Sequence, residues 1–95
     1  MTTDLTRSLK VYVQVRVEFS PDGRMLPRSL TWEDGCEYGI DRVKDVRPSY
    51  AARAGGHGDR YTILVEGREK YLFFERNADS SNQNVGRWFL ERKEG

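Results

Sequence analysis

The segment RPSYAARAGGHGDRYT, residues 47–62, contains the side chains of this chain best suited to hold an anion. It has three arginines, two tyrosines and the one histidine of the chain. Residues 42–60 carry five cations against two aspartates, whereas the whole chain has a formal net charge of only +1. Arginine pairs with phosphate through parallel hydrogen bonds, and a tyrosine ring offers a face on which a base can stack. The segment therefore predicts an anion- or nucleic-acid-binding loop with contacts from Arg47, Tyr50, Arg53, His57 and Arg60.

The glycine-rich part of this segment, residues 55–58, leaves two interpretations open. Three glycines permit positive φ angles, so several amide groups can converge on an anion. The spacing matches neither the phosphate-binding G-x-x-x-x-G-K-[ST] pattern nor a G-x-G-x-x-G turn between a strand and a helix. The alternative is a plain connection that leads to a strand at Tyr61, with arginines that are solvated or paired to aspartates.

Catalytic and metal-binding residues are few. Cys36 is the single cysteine. Together with His57 it provides too few ligands for a structural zinc site. One cysteine and one histidine, 21 residues apart, are also weak evidence for a catalytic nucleophile and its base. Asp41 and Asp45 would lie on the same face of a straight strand. Neighbouring arginines favour ion pairs with them, and an ion pair lowers the pKa of a carboxyl group. Such a group stays ionised and cannot act as a general acid. The sequence therefore predicts a non-enzymatic protein with no metal and no cofactor.

Length and composition are those of one small domain. Ninety-five residues are enough for a single core. The N-terminus lacks the apolar region of a signal peptide, and the short apolar run LFF at 72–74 cannot cross a membrane. We predict a cytoplasmic protein with a frayed N-terminus at 1–8, one domain at 9–92 and a short tail at 93–95.

Alternation of apolar and polar residues predicts β-strands. Six apolar residues of LKVYVQVRVEF, residues 9–19, fall on one face, and a strand of this length is expected to bend and serve both sides of a barrel. A second strand is predicted at 29–32, after Pro27. A third is predicted at 37–43, with a possible extension to Arg47, because Pro48 should end it. Three more strands are predicted in YTILVEG, EKYLFFE and VGRWFLER. Turns are predicted at SPDGR, at EDG and at Glu66–Glu69, with Gly67 in the first central position.

These elements predict an all-β fold, a small antiparallel and partly open barrel of the SH3-like or OB-like type. It should have six or seven strands and at most one short helical turn near 49–54. The expected core is Val11, Val13, Val15, Val17, Leu30, Trp32, Ile40, Val43, Ile63, Val65, Leu72, Phe74, Trp88 and Leu90. Phe73 and Phe89 are predicted to form a second apolar surface, covered by a loop or by a partner.

The stretch WEDGCEYGIDRV, with AGGHGDRYT, YLFFE and GRWFLE, resembles a group of short uncharacterised bacterial proteins common in anaerobic Gram-positives. Their pattern is W-x-D-G-x-x-Y-x-I-D-x-V, then a Gly-rich loop ending in R-Y-T, then G-R-W-F. The resemblance covers residues 11–92 and implies a small barrel; no activity is assigned to that group. Residues 60–91 also resemble the small C-terminal barrel of polymerase-like DNA-repair proteins, which implies a DNA-related role.

Two functional hypotheses from different classes follow. The first is a non-enzymatic module that binds an anionic partner such as nucleic acid, with salt-dependent affinity. The second is a protein–protein interaction or homo-oligomerisation module that uses Phe73, Phe89 and the unpaired strand edges of an open barrel. An enzyme of unknown class is the third hypothesis.

Overall fold

Seven β-strands occur in the residues that the structure describes. The computed structural model describes residues 7–51, 56–77 and 84–94, and the side chains within 9–49, 58–77 and 84–92. The strands are β1 Arg7–Phe19, β2 Met25–Thr31, β3 Glu37–Gly39, β4 Arg42–Ala51, β5 Gly56–Val65, β6 Arg68–Arg76 and β7 Gly86–Glu94. The predicted all-β class is confirmed, and no helix occurs in the described ranges. Of the segment 1–8 that was predicted to be frayed, residues 1–6 lie outside the described ranges, and Arg7 and Ser8 belong to β1.

The strands make one antiparallel sheet in the order β3-β2-β1-β7-β6-β5-β4, curled into a half-barrel. Strand β1 is long because it has two successive partners. Its first part, Arg7–Val13, pairs with β7, and its second part, Gln14–Phe19, pairs with β2. The prediction that this strand serves both sides of the barrel is confirmed.

The two edge strands, β3 and β4, are consecutive in the chain and are joined by Ile40 and Asp41. The Ile40 N–H donates to the Arg28 carbonyl of β2 at 2.8 Å, and the Asp41 N–H donates to the Leu64 carbonyl of β5 at 2.8 Å. The chain therefore passes from one edge of the sheet to the other and draws the half-barrel together at this end. The single strand predicted from residue 37 is two strands, because its hydrogen-bond partner changes here.

The core lies on the inner face of the curl. Its buried cluster comprises Leu30, Ile40, Tyr61, Ile63, Val65, Leu72, Phe74, Trp88 and Leu90. Val13, Val15, Trp32 and Val43 pack against the cluster and are partly buried, whereas Val17 is 38% exposed. Val17 lies beyond a β-bulge between Arg16 and Val17, where the paired hairpin of β1 and β2 extends past the core. The predicted core is confirmed except at Val17 and at Val11, which is partly buried and does not belong to the core cluster.

Both prolines that were predicted to bound strands lie inside them. Pro48 lies within β4, an edge strand, and its missing N–H is tolerated on the unpaired side. Pro27 lies within β2 opposite Val17 and is fully buried. Strand β3 pairs only with residues 29–31 of β2, so β2 has no second neighbour at Pro27. The prediction failed because a proline interrupts a strand only where its missing N–H group would have to donate to a neighbouring strand.

The turn between β5 and β6 is displaced by one residue from its prediction. Val65 pairs with Arg68, so the central residues are Glu66 and Gly67. Both have positive φ angles, 52° and 77°. This is a type I′ turn, the hairpin connection whose twist matches that of its strands.

Candidate functional site

The segment predicted as a long binding loop at 47–60 is a β-hairpin. Strands β4 and β5 pair from Arg42–Leu64 to Ala51–Gly56, and residues 52–55 lie outside the described ranges. The register places Arg47 opposite Arg60 and Tyr50 opposite His57, while Arg53 and the side chains of Tyr50 and His57 are not described. The loop prediction is wrong because the two halves of the segment pair with one another. Residues 49–51 of the possible helical turn belong to β4.

Gly58 shows why a glycine-rich stretch need not be a loop. It pairs with Ser49 of β4 and with Glu75 of β6. A Cβ at this position would overlap the backbone carbonyl of Phe74. The glycine allows neighbouring strands to approach, which is a second common reason for glycine in a strand.

Arg47 and Arg60 are direct neighbours on the outer face of the sheet, but their surroundings differ. The Arg47 Nε lies 2.7 Å from an Asp45 carboxylate oxygen, and both side chains are well exposed. The Arg60 guanidinium lies 4.4 Å from the centroid of the Tyr71 ring. Its Nε is buried and has no hydrogen-bond partner among the described residues. Like charges directly opposite each other destabilise a sheet; here Asp45 offsets the charge of Arg47, and the Tyr71 ring lies beside Arg60.

An aromatic row continues from Arg60 across the outer face. In the register Arg60 lies opposite Phe73, Phe73 opposite Phe89, and Phe89 opposite Tyr12. The Phe73 and Phe89 rings are stacked with centroids 4.9 Å apart, and Tyr12 meets Phe89 edge-on at 5.8 Å. Phe89 is only 2% exposed. The prediction that Phe89 offers an apolar surface to a partner is therefore wrong, because neighbours on the same face cover it.

Glu75 joins the charged residues at one end of this row. Its carboxylate accepts a hydrogen bond from the Tyr12 hydroxyl at 2.9 Å and one from Lys10 at 3.3 Å, and Arg87 lies 3.6 Å away. Burial alone would raise the pKa of Glu75, but these hydrogen bonds and cations outweigh it and hold the pKa below its usual value. Burial and the hydrogen bond to Glu75 raise the pKa of Tyr12. The cluster is a fixed ion-pair network, with Arg87 also 4.0 Å from the Tyr12 ring centroid.

A split in the sheet, which we call the β6–β7 cleft, opens between strands β6 and β7. Strands β6 and β7 pair only from Phe73–Phe89 to Arg76–Gly86, although β6 begins at Arg68 and β7 continues to Glu94. The cleft has a volume of about 920 Å³. Its lining includes the inner-face side chains Leu30, Trp32, Tyr38, Val65 and Leu90, and also Tyr71 and Phe73 of the outer face.

The polar lining of the β6–β7 cleft is rich in cations. Arg68, Lys70 and Arg92 contribute to it, together with Glu66 and Glu91. Arg92 lies 2.8 Å from Glu33, whereas Arg68 and Lys70 form no ion pair with another described residue. The cleft thus combines apolar side chains with two cations that form no ion pair among the described residues, and two glutamates also contribute to its lining.

Sequence reasoning missed the β6–β7 cleft, although a signal was present. In REKYLFF, Arg68 and Lys70 share the strand parity of the buried Leu72 and Phe74. Cations on the apolar face of a strand indicate that the face leaves the core at that point. Trp32, a predicted core residue, is partly buried against the core cluster, but it also lines the cleft.

The remaining candidates for chemistry do not converge. Cys36 is exposed in the turn before β3. Asp41 accepts a hydrogen bond from the Glu66 N–H, and Asp45 is paired with Arg47, so the two carboxylates have separate partners. Within the described ranges no three metal-ligating side chains come together.

Comparison with known proteins adds no relative. No protein-family model, no curated protein and no solved structure matches this chain. In the described part of the chain, no helix has the length and apolar character needed to span a membrane.

Proposed function

We propose that this protein is a non-enzymatic, cytoplasmic binding module for an anionic partner, and that the partner is single-stranded nucleic acid. The observation that carries the proposal is the pair Arg47 and Arg60 beside the exposed ring of Tyr71. Two adjacent guanidiniums suit a phosphate backbone, and one of them has a buried Nε without a partner among the described residues.

The aromatic side chains of the outer face support the same partner. Tyr71 and Tyr12 are 48% and 42% exposed, respectively, and flank the row of Phe73 and Phe89. Exposed rings on a sheet are the platforms on which single-stranded binders stack bases, and nearby arginines follow the backbone. Two acidic residues of this face, Glu75 and Asp45, are already engaged by cations of the protein. They therefore repel a nucleic acid less than free carboxylates would.

The test is fluorescence anisotropy of labelled oligonucleotides, single- and double-stranded, at low and moderate salt. Contacts with about three phosphates of a single strand lower the affinity roughly 20-fold between about 50 and 200 mM salt. Arg60→Gln should reduce the slope of log affinity against log salt by about 0.7, the contribution of one phosphate. Tyr71→Leu should weaken binding about tenfold, because one base loses its stacking partner.

Arg28→Gln is the matched control, since Arg28 is an exposed strand arginine that is paired with Glu18 away from this row. It changes the net charge equally and should leave the salt slope as in the parent. Equal losses in Arg60→Gln and Arg28→Gln would mean that only net charge matters. Unchanged binding in Arg60→Gln would overturn the proposed site, and no binding at low salt would overturn the function.

A further inference from the structure

The β6–β7 cleft borders the proposed nucleic-acid surface, because Tyr71 and Phe73 contribute to both, but its strand edges and its cations Arg68 and Lys70 are different groups. Residues 68–72 of β6 remain paired with β5, and residues 90–94 of β7 remain paired with β1. Neither stretch pairs with the other. In an antiparallel ladder, alternate residues point their N–H and C=O groups away from the existing partner. The cleft is therefore bounded by two strand edges that face each other with open hydrogen-bonding groups.

Strand edges of this kind take an additional strand when one fits. At the outer edge of the sheet, β4 is protected by Pro48 and by a bulge between Val43 and Asp45. Neither device occurs in residues 68–72 or 90–94, which contain no proline and no register shift. The edges at the β6–β7 cleft therefore lack both of the devices that protect β4.

Side chains of the cleft specify what the additional strand must carry. The residues of an inserted strand that point inward would meet Trp32, Leu30 and Leu90 at the base of the cleft. Nearer the mouth they would meet Arg68 and Lys70, which form no ion pair with a described residue. Alternate residues of a strand point to one face, so the apolar and acidic positions are separated by one residue.

We propose that the β6–β7 cleft binds an extended peptide segment of a partner protein, inserted as a strand between β6 and β7. The peptide carries an apolar residue and, two positions away, an aspartate or glutamate that pairs with Lys70 or Arg68. Its backbone completes the two open edges, which is the usual source of affinity in strand addition, while the pocket and the cations supply specificity. A nucleic acid has no comparable backbone donors for these edges.

The experiment uses random eight-residue peptides displayed on phage and selected on the immobilised full-length chain. Enriched sequences should share an acidic residue two positions from an apolar one. A synthetic selected peptide is then compared with a copy that is N-methylated at alternate residues, which removes backbone donors and keeps the side chains. N-methylation should weaken binding at least about tenfold, since several hydrogen bonds are lost at once.

Variants of the protein locate the binding site. Lys70→Gln and Arg68→Gln should each weaken the selected peptide by about five- to tenfold, the value of one charged contact. Arg28→Gln is the matched control and should leave the affinity unchanged. The proposal is overturned if no sequence is enriched, if the N-methylated copy binds equally well, or if neither Lys70→Gln nor Arg68→Gln weakens binding. It is also overturned if a single-stranded oligonucleotide displaces the peptide and itself depends on Lys70.

The opening of the cleft is tested without any ligand. Continuing the register of β6 and β7 would place Lys70 opposite Arg92. In a Cys36→Ser background, the double change Lys70→Cys and Arg92→Cys should remain reduced with oxidised glutathione, because the two strands are apart. Paired strands have Cα atoms within disulfide range, so rapid and complete closure would show a paired seam and overturn the proposal.

Discussion

Strand β7 has two neighbours, and the two seams differ in a way that locates function. With β1 it pairs from Arg7–Glu94 to Val13–Trp88, whereas with β6 it pairs only from Phe73–Phe89 to Arg76–Gly86. The paired end of the second seam is held by large rings, including Phe74 against Trp88 at 4.9 Å. The β6–β7 seam is thus closed where large rings meet, and it opens before the like charges of Lys70 and Arg92 would come opposite each other.

One pair of like charges would form if the β6–β7 seam continued. Extending its register would bring Lys70 next to Arg92 on the inner face. Like charges directly opposite each other destabilise a pair of strands, and here the low-polarity core lies close by. In the β1–β7 seam, by contrast, Lys10 lies opposite Glu91. The two seams therefore differ in sequence as well as in geometry.

The largest expected effect comes from breaking the closed end of the β6–β7 seam. Phe89→Ala removes a ring that is 2% exposed and stacked on Phe73. The free energy of unfolding should fall by about 3–5 kcal/mol, the usual cost of removing a buried aromatic side chain. Denaturant unfolding measures it, with Val85→Ala, at a position 77% exposed, as the control that changes little. A loss well below about 1 kcal/mol would show that the seam does not depend on this ring.

A smaller effect is expected from Gly86→Ala at the end of the same seam. Gly86 has a φ of 156°, and a Cβ there would overlap the Glu75 carbonyl and approach the Phe74 ring. The substitution should cost about 1–3 kcal/mol because backbone or ring must move. Gly39→Ala is the control, since a Cβ added at Gly39 would meet no atom within 4 Å. Equal stability of the two variants, measured by denaturant unfolding, would contradict the close approach.

The sequence predicted the strands well because alternation reports burial directly. The inner-face residues Ile63, Leu72 and Trp88 are buried as expected. Buried residues on the outer face were missed, as Phe89 shows, because its cover comes from Lys10 and Tyr12, which are distant in sequence. Long-range pairing of this kind leaves no local pattern.

The candidate site was predicted only in part, for two physical reasons. Arg47 and Arg60 were named from charge, and the hairpin does place them side by side. The partner ring of Arg60, Tyr71, belongs to β6 and was not predicted. The β6–β7 cleft was not foreseen because it arises where pairing stops, and the place where a ladder stops depends on both strands at once.

A third prediction uses pH to examine the ion-pair network beside the closed seam. Burial raises the pKa of Glu75, but the hydrogen bonds from Tyr12 and Lys10 prevail, so its pKa in the folded state is lowered. A lowered pKa stabilises the fold above the unfolded-state value of about 4.3, and this stabilisation is lost as the pH falls through the folded-state pKa. Glu75→Gln should therefore cost about 1 kcal/mol at neutral pH and progressively less below about pH 4.

Unfolding free energies measured from pH 3 to 7 provide the comparison for Glu75→Gln. Glu18→Gln is its control, because Glu18 forms an ion pair with Arg28 in which both side chains are largely exposed. Such exposed pairs contribute little at any pH. A difference between Glu75→Gln and the parent that does not change with pH would show that the carboxylate charge has no part in the effect.

The smallest expected change would close the open part of the seam. Lys70→Glu replaces the repulsion between Lys70 and Arg92 with an attraction, and a cross-strand pair of opposite charge stabilises by roughly 0.2–1 kcal/mol. Native-state hydrogen exchange measures the result, since amides of 70–72 and 90–92 that face the cleft should become protected. Lys70→Gln, which only removes the repulsion, should give intermediate protection. If these amides exchange in Lys70→Glu as fast as in the parent, repulsion between the two cations is not what keeps β6 and β7 apart. The cause would then lie in the apolar side chains of the cleft, because Trp32 and Tyr38 occupy the space behind both strands.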